Sequence, residues 1–262
     1  MADLGFQHQN IVIAGGFRGI GLELAKLLIV EGANIALLGR NYERAASAEE
    51  ILNSLNPIGS LKVIKGDLAN ADTLSEVKGK IDSWSEGMVH HLAIFLGSGK
   101  TPPGHDFALD HWREVFEINT FAPIGVAQAF YPMMLHKEGN PSITLTAAIS
   151  GIERVRAPMT YSIAKSALIA YSNHLAEALV QEGIRVNTIS PGNVFYKGGR
   201  WEELLAERKD EITAFLETSV GMQRLGTAEE IAWVFFSTMS PENAFMTGQN
   251  IVADGLQVNR IL

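Results

Sequence analysis

Short runs of consecutive apolar residues alternate along this chain with longer stretches in which apolar residues recur every third or fourth position. The first pattern predicts strands buried on both faces, and the second predicts amphipathic helices. Residues 10–15 (Asn-Ile-Val-Ile-Ala-Gly) read as a strand, followed by a glycine turn and a helix to about Glu31. Residues 34–39 predict a second strand and Arg44–Leu55 a second helix. Leu61–Lys65, Leu74–Trp84 and Val89–Leu96 continue as strand, helix and strand. A long helix is expected over His111–Leu135, then a strand at Ser142–Ala147. A helix carrying Tyr161 runs to about Glu182, and Ile184–Ser190 is a further strand. This alternation is the signature of a parallel sheet covered by helices on both faces. The expected fold class is therefore α/β, a single-domain, doubly wound parallel sheet over residues 1–262.

Residues 197–216 interrupt the alternation with a charged amphipathic stretch, and with Phe195 and Tyr196 they suit a lid over a pocket at about 195–216. No repeat, low-complexity segment or linker divides the chain. Apolar residues make up 47% and charged residues 19%, an ordinary globular balance. A net charge of −8 with no basic run argues against nucleic acid or an anionic membrane as partner. With no cysteine, neither disulfides nor thiolate chemistry is available. The start, Met-Ala-Asp-Leu-Gly-Phe-Gln-His, lacks the form of a signal peptide, and no apolar run is long enough for a membrane span. A soluble cytoplasmic protein is expected. His90 and His91 are the only clustered histidines; as strand neighbours they face opposite ways, so no metal site is expected.

Two motifs carry chemistry. Tyr161-Ser-Ile-Ala-Lys165 places a phenol and an ammonium one helical turn apart, where the cation is expected to lower the phenol pKa and favour proton donation. Ala14-Gly15-Gly16-Phe17-Arg18-Gly19-Ile20-Gly21 lies between strand and helix, where bare backbone meets a pyrophosphate at a helix N-terminus. An acidic residue at the end of the second strand would favour NAD; Gly39-Arg40 stands there instead, with Arg18 in the loop. Two guanidinium groups suit the extra phosphate of NADP(H), which is favoured over NAD(H).

Together these motifs and the order of elements resemble the short-chain dehydrogenase/reductase family, over nearly the whole chain. The resemblance implies a Rossmann-type sheet and cofactor contacts from Gly15, Phe17, Arg18, Gly19, Ile20, Gly21 and Arg40. Asp67-Leu68 matches the family's adenine-contacting segment, and Asn119 the asparagine that holds a relay water. Ile184–Gly192 is similar to the strand and Pro191-Gly192 turn beside the nicotinamide, and Met246–Gly255 to the final strand and ending. By the same resemblance Tyr161 donates the proton, Lys165 binds the nicotinamide ribose, and the substrate is a small carbonyl or alcohol. Family members commonly form homotetramers or homodimers.

Three departures stand out. The family's catalytic serine falls on Ala148, with Ser150 and Thr146 two positions either side; Ser150 could return only if the chain bends. Ile94-Phe95-Leu96-Gly97 replaces an Asn-Asn-Ala-Gly segment and implies a greasier wall at the cofactor contact Gly97. Val194-Phe195-Tyr196 stands where a threonine often follows the Pro-Gly turn; Val194 is still expected at the cofactor, and Phe195 and Tyr196 at the substrate. Ile149, Ile152, Trp201 and Met222 hint at an apolar substrate, and Arg154 and Arg156 at a carboxylate. Two other readings stay open: an NADP(H)-binding sensor or scaffold that has lost catalysis, and an enoyl reductase, which the close Tyr-Lys spacing disfavours.

Overall fold

The computed structural model describes residues 4–135 and 139–259. In β1 (Asn10–Ala14) Ile11 and Ile13 enter one apolar layer while Val12 and Ala14 enter another. Successive side chains leave a strand on opposite faces, so a continuous apolar run requires cover on both. The first layer is closed by α1 (Gly19–Val30), α2 (Tyr42–Ser54) and α9 (Ala228–Met239). The second is closed by α3 (Ala71–Ser85), α5 (Ala122–Phe130) and α6 (Met159–Leu179).

The other strands of the sheet are β2 (Asn34–Gly39), β3 (Leu61–Lys65), β4 (His91–Ile94), β5 (Ser142–Thr146), β6 (Arg185–Pro191) and β9 (Asn250–Ala253). Their order is β3-β2-β1-β4-β5-β6-β9 with every pairing parallel. The expected doubly wound sheet is present. β7 (Val194–Phe195) and β8 (Gly226–Thr227) form a separate two-stranded ribbon. The charged stretch after it becomes α7 (Arg200–Glu207) and α8 (Lys209–Ser219), joined where Trp201 stacks on Phe215 at 6.1 Å.

The helix expected over His111–Leu135 is divided. α4 (Leu109–Phe116) passes into a π-helical turn at Glu117–Phe121, then α5, then a 3₁₀ turn at Tyr131–Met134. Pro123 explains the break: it has no amide hydrogen to give the Asn119 carbonyl in an α-helical pattern. The β4 strand is two residues shorter than expected at each end, and beyond it the backbone turns away at Gly97, φ 146°.

Helix α9 is an element beyond those the hydrophobic pattern predicts. Its start is fixed by a capping box: Thr227 Oγ1 accepts from Glu230 N at 3.3 Å, and Glu230 Oε2 accepts from Thr227 N at 2.9 Å. Arg224 adds two bonds to the Glu230 carboxylate, at 2.8 and 2.6 Å. At the other end the buried Arg185 guanidinium donates to the carbonyls of Thr238, Met239 and Ser240, each at 3.0 Å. A cation thus meets the helix's orphan carbonyls where the dipole favours it. Among the described residues no helix is long and apolar enough to cross a membrane. Thr227→Ala is expected to lower stability by about 1 kcal/mol, read as a Tm decrease of about 2–4 °C by calorimetry.

Candidate active site

All seven parallel strands end at one edge, and the strand order reverses there between β1 and β4. Crevices form outside the carboxyl ends of strands at such a switch point. Two clefts open here, of about 410 and 260 Å3, sharing Gly15, Arg18, Phe95, Leu96 and Gly97.

The larger cleft runs from the glycine turn over the ends of β2 and β3. Gly15 has φ 89°, and a β-carbon there would lie 2.9 Å from the Phe95 carbonyl oxygen. Gly19 has φ 56°, and its β-carbon would press on the Tyr196 ring at 3.1 Å. Only glycine tolerates both demands. Helix α1 begins at Gly19 with no side-chain cap and no acidic residue in its first turn. Its amide hydrogens form a cradle suited to a pyrophosphate, and the residues present fit a dinucleotide. Phe17 lies against Gly39 so closely that a β-carbon on Gly39 would sit 2.6 Å from the ring. Arg18, Arg40 and Arg44 line the same cleft, with Asp67 and Leu68 at its far wall. Arg40 and Asp67 approach to 3.8 Å.

The smaller cleft holds Tyr161 and Lys165, one turn apart at the start of α6, together with Ile20, Gly21 and Tyr196. Lys165 is buried, and its Nζ donates to the carbonyls of Thr146 at 2.9 Å and Leu96 at 3.3 Å. Gly97 makes this possible. A β-carbon there would lie 2.8 Å from Asn119 Oδ1 and 2.9 Å from Lys165 Nζ. Asn119 projects from the π turn, its Oδ1 accepting from Ser98 N at 2.8 Å. Its Nδ2 donates to the carbonyls of Ser98 at 3.2 Å and Val115 at 3.0 Å. Asn119 thus holds Ser98 through its Oδ1 and one amide hydrogen, while the other amide hydrogen ties it back to Val115 of α4.

The electrostatics correct one expectation. Burial pushes Tyr161 up to about 12, with a smaller push from Tyr196, where the Tyr-Lys spacing alone implies a lowered phenol. Burial also brings Lys165 down to about 7, so it is only partly charged near neutrality. Its Nζ lies 5.9 Å from the Tyr161 ring centroid and is directed at carbonyls. Desolvation outweighs attraction here.

The bend expected after β5 exists: Ala148 is extended and a 3₁₀ turn follows at Ile149–Gly151. It carries Ser150 inward, where its hydroxyl is buried without a partner among the described residues, rather than into the Tyr161 cleft. The side chains with hydroxyls that line this cleft are Ser98, Thr146, Tyr161 and Tyr196. Pro191, Gly192 and Val194 line neither cleft; Gly192 and Val194 face a separate cavity of about 220 Å3 beside Asp254. Phe195 is partly exposed and also lies outside both clefts. Arg44, Lys100 and Arg200 were not expected at the site. Arg44 does carry a signal, standing three residues after Asn41, which caps α2 at 2.8 Å. His90 and His91 have separate partners: His90 accepts from Asn10 N at 3.0 Å, and His91 bonds Ser142 at 2.8 Å and Gln9 at 2.5 Å.

A family model described as enoyl-(acyl carrier protein) reductase matches residues 15–255. Isoepoxydon dehydrogenase of Penicillium expansum is 28% identical over 259 residues, covering 96% of this chain and 95% of its own. The L-rhamnose 1-dehydrogenase (NADP(+)) of Thermoplasma acidophilum is 28% identical over 258 residues, 96% of this chain and 97% of its own. In fold, L-sorbose reductase from Gluconobacter frateurii, solved with NADPH and L-sorbose, matches with a TM-score of 0.90. That match covers 99% of this chain and 100% of the reductase at 24% identity. From the glycine turn to the ending after β9, then, the chain belongs to the short-chain dehydrogenase/reductase family of oxidoreductases.

Proposed function

We propose that the protein is an NADP(H)-dependent oxidoreductase that interconverts a carbonyl and an alcohol, with Tyr161 as proton donor. The observation that carries this reading is the continuity of the Tyr161–Lys165 cleft with the uncapped N-terminus of α1. Gly15, Gly19, Ile20 and Gly21 would hold the pyrophosphate, Lys165 the nicotinamide ribose, and Asp67 and Leu68 the adenine end. Bound there, the cofactor supplies or accepts the hydride.

Tyr161, with a pKa near 12, keeps its proton throughout the neutral range and donates it to the developing alkoxide. Lys165 in its charged form stabilises the phenolate left behind. Asn119 acts through the wall it fixes, and the carbonyl that Pro123 leaves without an α-helical donor suits the relay water. Ala148 offers no hydroxyl to the substrate oxygen, and the neighbouring Ala147 that lines the cleft offers none either, so that contact falls to Tyr161. The relatives' names favour a dehydrogenase or reductase of alcohols and carbonyls. Enoyl reduction is the second reading because the matching family model carries that description. The exposed apolar side chains of Phe121 and Ile163 suit a homodimer or homotetramer.

Three cationic side chains at the larger cleft and the contact of Phe17 with Gly39 support NADP(H) over NAD(H). No side chain, acidic ones included, fits at Gly39 while Phe17 stays in place. By calorimetry NADPH should bind at least about tenfold more tightly than NADH, a difference of one good charged contact; equal affinities would sink the preference.

Tyr161→Phe should abolish nearly all NADPH oxidation over a panel of ketones, diketones, quinones and ketoesters while NADPH binding persists. Ala148→Ser should raise kcat by about 10–1,000-fold, the range associated with one oxyanion donor. If Tyr161→Phe keeps wild-type turnover, the assignment fails; an α,β-unsaturated thioester as the sole substrate would favour the enoyl reading.

The pH dependence has a definite sign. Lys165 is protonated below about 7 and Tyr161 below about 12. The kcat/KM for NADPH, which reports groups of the free enzyme, should therefore be highest on the acid side and decline as pH rises through 7. A profile flat from pH 6 to about 9 would contradict the role given to charged Lys165.

A further inference from the structure

Two cations of the Tyr161 cleft are left over once cofactor and proton donor are assigned. Arg18, Lys100, Lys165 and Arg200 line this cleft and, among the described residues, no carboxylate does. The chain as a whole carries a net charge of −8, so the cleft is a local reversal of sign. Arg18 belongs with the glycine turn and Lys165 with Tyr161. Lys100 and Arg200 reach the cleft from different segments, the loop after β4 and the first residue of α7.

They converge on one carboxylate. Lys100 Nζ lies 2.5 Å from Glu203 Oε1, and Arg200 Nη1 lies 3.2 Å from Glu203 Oε2. Their hydrogen bonds hold the Glu203 carboxyl below its ordinary range, Lys100 contributing most.

Both cations stand on anchored backbone. The Lys100 amide donates to Ser98 Oγ at 3.2 Å, and Ser98 is held by Asn119. The next residue, Thr101, bonds His111 at 3.1 Å and Thr160 at 3.2 Å, and Thr160 adjoins Tyr161. On the other side Gly199 is packed so tightly that its β-carbon would lie 2.9 Å from Tyr196, and the Gly198 amide donates to Glu202 at 2.6 Å. Two cations presented from fixed segments to one carboxylate, beside a proton donor, form a carboxylate-binding arrangement that Glu203 fills. An exposed ion pair contributes little net stability, so replacing Glu203 by a ligand's carboxylate costs little.

We infer that the substrate is an oxo acid, or the matching hydroxy acid in the reverse direction, whose carboxylate is taken by Lys100 and Arg200 in exchange for Glu203. This rests on the carbonyl–alcohol reading above. Arg154 and Arg156, the arginines the sequence suggested for a carboxylate, are exposed and line neither cleft.

The experiment compares unbranched 2-oxo and 3-oxo acids of increasing length with their methyl esters. Turnover is followed as NADPH oxidation, and binding of the same acids to the NADP+ complex is followed by calorimetry, which needs no chemistry. Wild type should prefer acid over ester by at least about tenfold in kcat/KM, mainly through KM. Lys100→Met and Arg200→Met should each collapse that ratio toward one and weaken acid binding. Glu203→Gln, which removes the competing carboxylate, should tighten it. NADPH binding by each variant reports an intact fold.

Equal kcat/KM for acids and esters in wild type, or acid binding indifferent to both methionine variants, overturns the inference. If esters are reduced but acids neither bind nor react better, the redox reading stands and the anion site falls. Acid binding lost in both methionine variants, without turnover of any compound, keeps the anion site and removes the redox reading. Absence of both binding and turnover across the series overturns the inference.

Discussion

At Gly97 three elements meet that are far apart in sequence. The chain leaves β4 there at φ 146°, and the missing β-carbon is the space in which Asn119 Oδ1 and Lys165 Nζ come together. Asn119 reaches that point because the π turn displaces it from a regular helical position. Lys165 reaches it from α6 and is fixed by carbonyls from two neighbouring strand ends. A methyl group at residue 97 would push on a buried cation and on a fully bonded amide at once. Neither yields cheaply, because burial makes each unsatisfied polar group expensive. The position of Tyr161 one turn away follows from the same anchoring.

Burial also sets the chemistry. Tyr161 and Lys165 are driven in opposite directions, each toward its neutral form, by the same loss of water. A neutral phenol holds the proton that the proposed role of Tyr161 in carbonyl reduction calls for. Toward the mouth the surroundings change, and Lys100, Arg200 and Glu203 form solvated ion pairs. The cleft thus runs from a desolvated reacting end to a charged rim.

Much of this was legible in the sequence. Apolar runs such as Ile11–Ala14 mark strands because a sheet covered on both faces leaves no polar positions, and the glycine turn and Tyr161–Lys165 are local patterns that the fold preserves. What could not be read depends on distant packing. The break in the helix over 111–135 follows from Pro123, yet its consequence depends on Ser98, which Asn119 reaches from another element. The raised tyrosine pKa is not legible, because spacing reports proximity and not desolvation. Lys100 sits in an unremarkable polar stretch and Arg200 in the charged segment that reads as a lid, and only the fold places both beside Tyr161. Helix α9 does carry a local signal, Thr227 and Glu230 at capping-box spacing.

The contact between Phe17 and Gly39 has an evolutionary side. The ring of one residue fills the volume that a side chain at the other would need, so the two positions form a single unit of sequence change. An acidic side chain introduced at 39 alone meets the ring, and a smaller residue at 17 alone leaves a hole beside the glycine turn. Either step by itself worsens the cradle before any new ribose contact is gained. The pair is therefore separated from any alternative with a side chain at 39 by a valley, and a lineage crosses it only by changing both positions.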